Sequence, residues 1–257
     1  MNTEHTIADF GSEVYDGRTF NAFIKYLAGH DPTEADGVPV SDDIINENKD
    51  LWAIHDTYIT AIKQSETEPI GANRNQIFVN ENPDNPVYLW YEDGCIYYYC
   101  AAEKIILPES TNLMFSECES LTELDISRFD TSRVTNMCSM FDNCISLKQL
   151  DLSNFDTSST TIMDVMFYRC ESLIKLNISS FDTSSVTGMN TMFDGCSSLT
   201  ELDISNFDTS SVTDLAFMFQ GCSSLKVDCS SWDVGNVETH KQFSEGAEGV
   251  IEPEWIN

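Results

Sequence analysis

The chain has 257 residues, of which 41% are hydrophobic and 22% charged; that is ordinary for a folded soluble protein, with material for one elongated domain or two small ones. Its 43 acidic and 13 basic residues give a net charge of −30, which repels phosphate backbones and anionic lipid and so argues against nucleic acid and membrane surfaces as partners. No apolar run approaches the ~20 residues that a membrane helix needs.

The first residues, "MNTEHTIADFGSEVYDG", have no basic start and no apolar stretch, so no secretory signal is expected there. In "DGRTFNAFIKYLAGH", Phe20, Phe23, Ile24 and Leu27 fall at i, i+3, i+4 and i+7. That spacing predicts an amphipathic helix, with Gly29 as its stop. The acidic, turn-rich stretch "GHDPTEADGVPVSDDIINENKD" reads as a loop. "ITAIKQS" reads as a strand. "PVYLWYEDGCIYYYC" reads as a hairpin about Asp93-Gly94, since that dipeptide accepts the positive φ angles of a tight hairpin turn. The hairpin carries Tyr88, Trp90, Tyr91, Tyr97, Tyr98 and Tyr99. These are either ring platforms for sugars or the cap that an array of repeats needs at its end.

From residue 105 the chain repeats itself every 26 residues. Phe115, Phe141, Phe167, Phe193 and Phe219 stand in one column, and Cys118, Cys144, Cys170, Cys196 and Cys222 in another. Leu121, Leu147, Leu173, Leu199 and Leu225 follow, then Leu124, Leu150, Leu176 and Leu202. Phe129, Phe155, Phe181 and Phe207 end in Trp232. A fixed period of this size marks stacked units that bury one another's apolar faces. Leu-x-x-Leu-x-Ile is the leucine-rich-repeat core, and its alternation predicts one short strand per unit. Val134, Met137, Met140 and Phe141 are spaced as on a helix, so Met137–Asp142 reads as a short helical turn on the convex side. Asp130, Asp156, Asp182, Asp208 and Asp233 follow the aromatic of each unit. They are expected to hold tight turns; a calcium ladder is the alternative, without the glycine-rich nonapeptide that such ladders carry. The final unit is one residue short between Leu225 and Trp232, and His240 stands where earlier units have Met or Leu. The tail "EGAEGVIEPEWIN" then covers or trails from the end.

"LDISNFDTSSVTDLAFMFQGCSSL" resembles the repeat of the BspA-like leucine-rich-repeat family of bacterial surface proteins, also described as a mycoplasma-lipoprotein-type domain of unknown function. The resemblance covers about residues 105–243. It implies a non-enzymatic, surface-displayed protein that binds molecules of a host or a neighbouring cell.

The expected fold is therefore α/β. A small α/β N-terminal cap over 1–104 precedes a leucine-rich-repeat solenoid over 105–257, with about five repeats, a C-terminal cap and a parallel β-sheet on the concave face. The expected function is binding of a protein or glycan, as a surface adhesin or secreted interaction protein. A cytoplasmic interaction or regulatory scaffold is the alternative, favoured by an uneven cysteine count without framework spacing. The expected binding face comprises Glu123, Gln149, Lys175 and Glu201, then Asp125, Asp151, Asn177 and Asp203, then Ser127, Ser153, Ser179 and Ser205. The cysteine column reads as buried apolar packing. No paired zinc spacing, phosphate-cradling glycine loop or nucleophile arrangement occurs, so no metal, cofactor or catalytic residue is expected.

Overall fold

The structure is a computed structural model, and it describes residues 59–68, 75–77 and 87–255. The helix expected around Phe20–Leu27 and the loop after it lie outside these residues. Tight pairing begins with β1 (Ala61–Gln64), β2 (Asn75–Ile77), β3 (Val87–Glu92) and β4 (Cys95–Cys100). β3 and β4 form the antiparallel hairpin, from Val87 opposite Cys100 to Glu92 opposite Cys95. Asp93 and Gly94 turn it with φ of 48° and 82°, the left-handed pair that matches the twist of the flanking strands. Its alternation is plain: Leu89, Ile96 and Tyr98 are buried, while Trp90, Tyr97 and Tyr99 are half-buried on the opposite face.

β5 (Ile105–Ile106), β6 (Glu123–Leu124) and β7 (Phe129–Asp130) tie this region to the first repeat. β1 runs parallel to both β4 and β6, in a sheet ordered β2-β3-β4-β1-β6. β5 pairs with β7, and Tyr98 packs against Phe129 at 5.6 Å. The apolar core runs without a break from Ile59 in β1's approach to Ala247 near the C-terminus.

Beyond this point each 26-residue unit hydrogen-bonds to the next. Parallel bridges link Ser110, Asn136, Ile162, Gly188, Asp214 and Thr239 in series. β8 (Gln149–Asp151) pairs with β9 (Lys175–Asn177), and β10 (Val227–Asp228) with β11 (Val250–Ile251). The rings of Phe115, Phe141, Phe167, Phe193 and Phe219 stack at 5.4–5.6 Å, within 11° of parallel. A T-shaped Phe243 closes the column. The continuous close stack is thus the Met-Phe column.

No helix occurs among the described residues. Over 137–144 the alternate amides reach outward to the next unit. Met137, Ser139, Phe141 and Asn143 donate to the carbonyls of Ile162, Asp164, Met166 and Tyr168. Between them, Met140, Asp142 and Cys144 N–H donate to the carbonyls three residues back, and Cys138 N–H donates to the Asn136 side-chain oxygen. A helix would spend all these donors within its own segment, so inter-unit pairing and helix exclude each other here. The turns require left-handed residues, and they recur in two columns. Leu113, Ser139, Val165, Thr191 and Phe217 form one, and Glu117, Asn143, Arg169, Gly195 and Gly221 the other, all with φ between 54° and 77°.

Four buried threonines join the units on a second side. The Oγ1 hydroxyls of Thr131, Thr157, Thr183 and Thr209 donate to the carbonyls of Asp156, Asp182, Asp208 and Asp233 in the following unit, at 2.8–2.9 Å. The same hydroxyls of Thr131, Thr157 and Thr183 accept the amides of Asp156, Asp182 and Asp208. One hydroxyl satisfies both polar groups of a peptide edge, which burial would otherwise leave costly.

Candidate functional site: the strand face

The outward columns that the sequence singles out stand at the surface. Glu123, Ser127, Gln149, Asp151, Ser153, Lys175, Asn177, Ser179, Glu201, Asp203 and Ser205 are exposed, and Asp125 is half-buried. Three separate pairings carry them rather than one unbroken ladder. Glu123 and Leu124 pair with β1, Gln149 and Asp151 with Lys175 and Asn177, and Glu201 with Lys226. Lys63 of β1 closes on Glu123 at 2.7 Å, an exposed pair that contributes little to stability. Asn177 donates its amide to Asp151 at 2.9 Å.

The Asp column of this face has a job of its own. Asp125, Asp151 and Asp203 accept the backbone N–H of Ser127, Ser153 and Ser205 at 3.0–3.1 Å. The Ser153 amide and hydroxyl hold the Asp151 carboxyl below the usual carboxylate range, and the Ser205 hydroxyl and amide do the same for Asp203. Replacing the three by alanine therefore removes turn contacts along with any binding role. The aspartates after each aromatic act alike. Asp130, Asp156, Asp182 and Asp208 accept Ser132, Ser158, Ser184 and Ser210 N–H, and Asp233 accepts Gly235 N–H. Among the described residues no group of three or more His, Cys, Asp or Glu could hold a metal ion.

The thiols of Cys144, Cys170, Cys196 and Cys222 donate to the carbonyls of Phe115, Phe141, Phe167 and Phe193 at 3.0–3.2 Å. Burial raises the Cys170 and Cys196 thiols well above their ordinary value and pushes Cys222 up to about 12, so they stay protonated at neutral pH.

On the turn side the carboxylates behave oppositely. Burial pushes Asp142 up to about 6, against the lowering contact of the Ser116 hydroxyl at 3.2 Å. Burial likewise raises Asp164 and Asp194. Asp164 lies over Gly188, where a Cβ would meet its oxygens at 2.7 Å, and accepts Asn190 N–H. A carboxyl raised by folding binds its proton more tightly in the native state, so stability rises as pH falls through the folded value towards the unfolded one. Wild-type stability should therefore increase from pH 7 to about 4.5, then fall below about 4 as the turn-holding aspartates protonate. Asp142→Asn should be more stable than wild type at pH 7.5, by about 1 kcal/mol once partial solvent screening is allowed for, and equal to it near pH 4.5. Urea midpoints across that range check this; a difference that does not shrink on acidification would refute it.

Sequence reasoning passed over three groups: the threonine ladder, Lys63, and the side chains around Trp232. The signal for the last is the column step of 25 residues from Phe207 to Trp232.

No helix among the described residues is long and apolar enough to cross a membrane. No curated protein and no solved structure matches the chain. The model of a Mycoplasma protein family of unknown function, DUF285, matches residues 109–176 and 152–253, which together span more than half of the 257 residues. The matched spans cover the stacked units, from the Ser110–Asn136 bridge to the β10–β11 pair, and the chain belongs to that family.

Proposed function

We propose that the chain is a non-catalytic binding module, a leucine-rich-repeat solenoid whose strand face recognises a protein or glycan of a host or neighbouring cell. On this reading it acts at the cell surface, as the BspA-like relatives that its repeat resembles do, and needs no cofactor. The observation that carries the reading is the regular exposure of Gln149, Lys175 and Glu201 beside paired strands. Behind them lies a core in which Leu147, Leu173 and Leu199 are wholly buried. Rigid polar columns of this kind give an extended array of contacts without a pocket.

The test is capture by purified protein from two extracts, host matrix and mucosal material on one side and the producing cell's cytosol on the other. The informative variant is Gln149→Ala/Lys175→Ala/Glu201→Ala, since these side chains hold no turn. Loss of a host-derived partner in this folded variant is the expected result; unchanged capture rejects the face. A second reading, an intracellular scaffold, draws on the column of buried protonated thiols, and a partner found only in cytosol would favour it.

A further inference from the structure

After β11 the chain folds back onto the end of the array. Pro253 is buried and Trp255 half-buried against the core, while Glu252 and Glu254 are exposed. Three contacts hold Trp255. Its indole N–H donates to Glu252 at 2.8 Å, and its ring meets Phe243 at 5.1 Å with planes 78° apart. It also lies flat on the His240 imidazole, with centroids 4.0 Å apart and planes 6° from parallel. The other Glu252 oxygen accepts the Ser244 hydroxyl.

His240 differs from the rest of its column. Thr111, Met137, Met163, Met189 and Leu215 are wholly buried and carry no ionisable group, whereas His240 is exposed and histidine ordinarily changes charge between pH 5 and 8. Neutral imidazole on indole is an aromatic pair. Imidazolium is a planar cation on the ring that attracts cations best. The charges around it are mostly negative. Glu252 and Glu254 stand in the tail, Glu238 on its own segment, and Asp214 in the unit before, bridged to Thr239. Glu245 is engaged by the Gln242 side-chain amide. Lys241, the neighbouring cation, is drawn over the Phe217 ring of the preceding unit at 5.7 Å.

We propose that His240 and Trp255 form a pH-sensitive latch, in which protonation of the imidazole tightens the tail over the end of the array and deprotonation loosens it. The sign follows from linkage, since falling pH favours whichever state binds the proton better. The closed tail offers imidazolium a ring face and the Glu252 carboxylate nearby, and the open tail offers it water. Closure is therefore strengthened below the range in which histidine titrates and weakened above it.

The test uses the full chain labelled with 15N at the tryptophan indoles, with the Trp255 N–H resonance identified by Trp255→Phe. Its rate of exchange with solvent is compared with that in His240→Leu at pH 5.5 and at pH 7.5. His240→Leu restores the residue of the preceding unit and cannot ionise. Taking the ratio at each pH cancels both the pH dependence of the exchange chemistry and the titration of distant groups such as Asp142. Between pH 7.5 and 5.5, exchange in wild type should slow by about threefold or more relative to His240→Leu. His240→Arg places a planar cation there at both pH values. It should match wild type at pH 5.5 and exchange more slowly than wild type at pH 7.5. A ratio of wild type to His240→Leu that is the same at both pH values overturns the proposal, as does one that moves the other way. Should His240→Leu disturb the fold, the arginine variant decides alone: a constant ratio of wild type to His240→Arg overturns the latch equally.

Discussion

Phe167→Ala is expected to cost the fold about 3–5 kcal/mol, a large part of the 5–15 kcal/mol that holds a typical domain together. Phe167 is wholly buried and stacks on Phe141 at 5.6 Å and on Phe193 at 5.4 Å. Its loss opens a cavity in the middle of the ring column, where the flanking units cannot close in. Their spacing is fixed by amide–carbonyl bonds on either side, such as Phe141 N–H to Met166 and Phe167 N–H to Met192. A cavity that cannot collapse lies at the costly end of the range. Phe167→Leu keeps most of the volume and removes the ring pairs, so it should cost about 1–2 kcal/mol. Urea unfolding followed by circular dichroism separates the two. A loss below about 1 kcal/mol for the alanine variant would show that the column is not a main support.

Gly249→Ala should damage the C-terminal closure. A Cβ at Gly249 would stand 2.2 Å from the Leu225 carbonyl oxygen, a backbone atom that no rotamer change moves away. Gly249 precedes β11, and its carbonyl accepts Val227 N–H across the β10–β11 pair. The substitution must push these strands apart, at about 1–3 kcal/mol or more. The closure is readable because Trp255 stacks on His240 at 4.0 Å, meets Phe243 edge-on at 5.1 Å and donates to Glu252 at 2.8 Å. Tryptophan emission should shift to longer wavelength and quench more readily with acrylamide, while the far-ultraviolet signal of the array persists. Emission identical to wild type would mean that the closure tolerates the methyl group. Trp255 of the tail thus lies against Phe243 at the end of the array, and exposed His240, at the position of a buried methionine in earlier units, stacks on it.

Much of the scaffold was legible in the sequence because each buried column repeats its residue type. The Phe, Cys and Leu columns mark the core, and Asp93-Gly94 marks the hairpin. The helix expected over Met137–Asp142 was not legible, because its residues recur at helical intervals for another reason. Met137, Met140 and Phe141 point inward from a run of turns whose bends fall at Ser139 and Asn143, with φ of 55° and 57°. The clue was present two and three units later, where Gly195 and Gly221 fill the Asn143 column, glycine and asparagine being the residues that best accept that conformation. The aspartates of the strand face illustrate a second limit. Alternation places a side chain outside, but it does not say whether a carboxylate is spent on its own turn.

The threonine hydroxyls that grip the next peptide edge bear on how such a chain changes length. Thr157 serves Asp182 as Thr183 serves Asp208, through bonds to the same two backbone groups. The two junctions are interchangeable, so excising one whole period between them rejoins like to like and exposes no orphaned donor. A chain shorter or longer by one whole period is thus expected to remain a closed and foldable product.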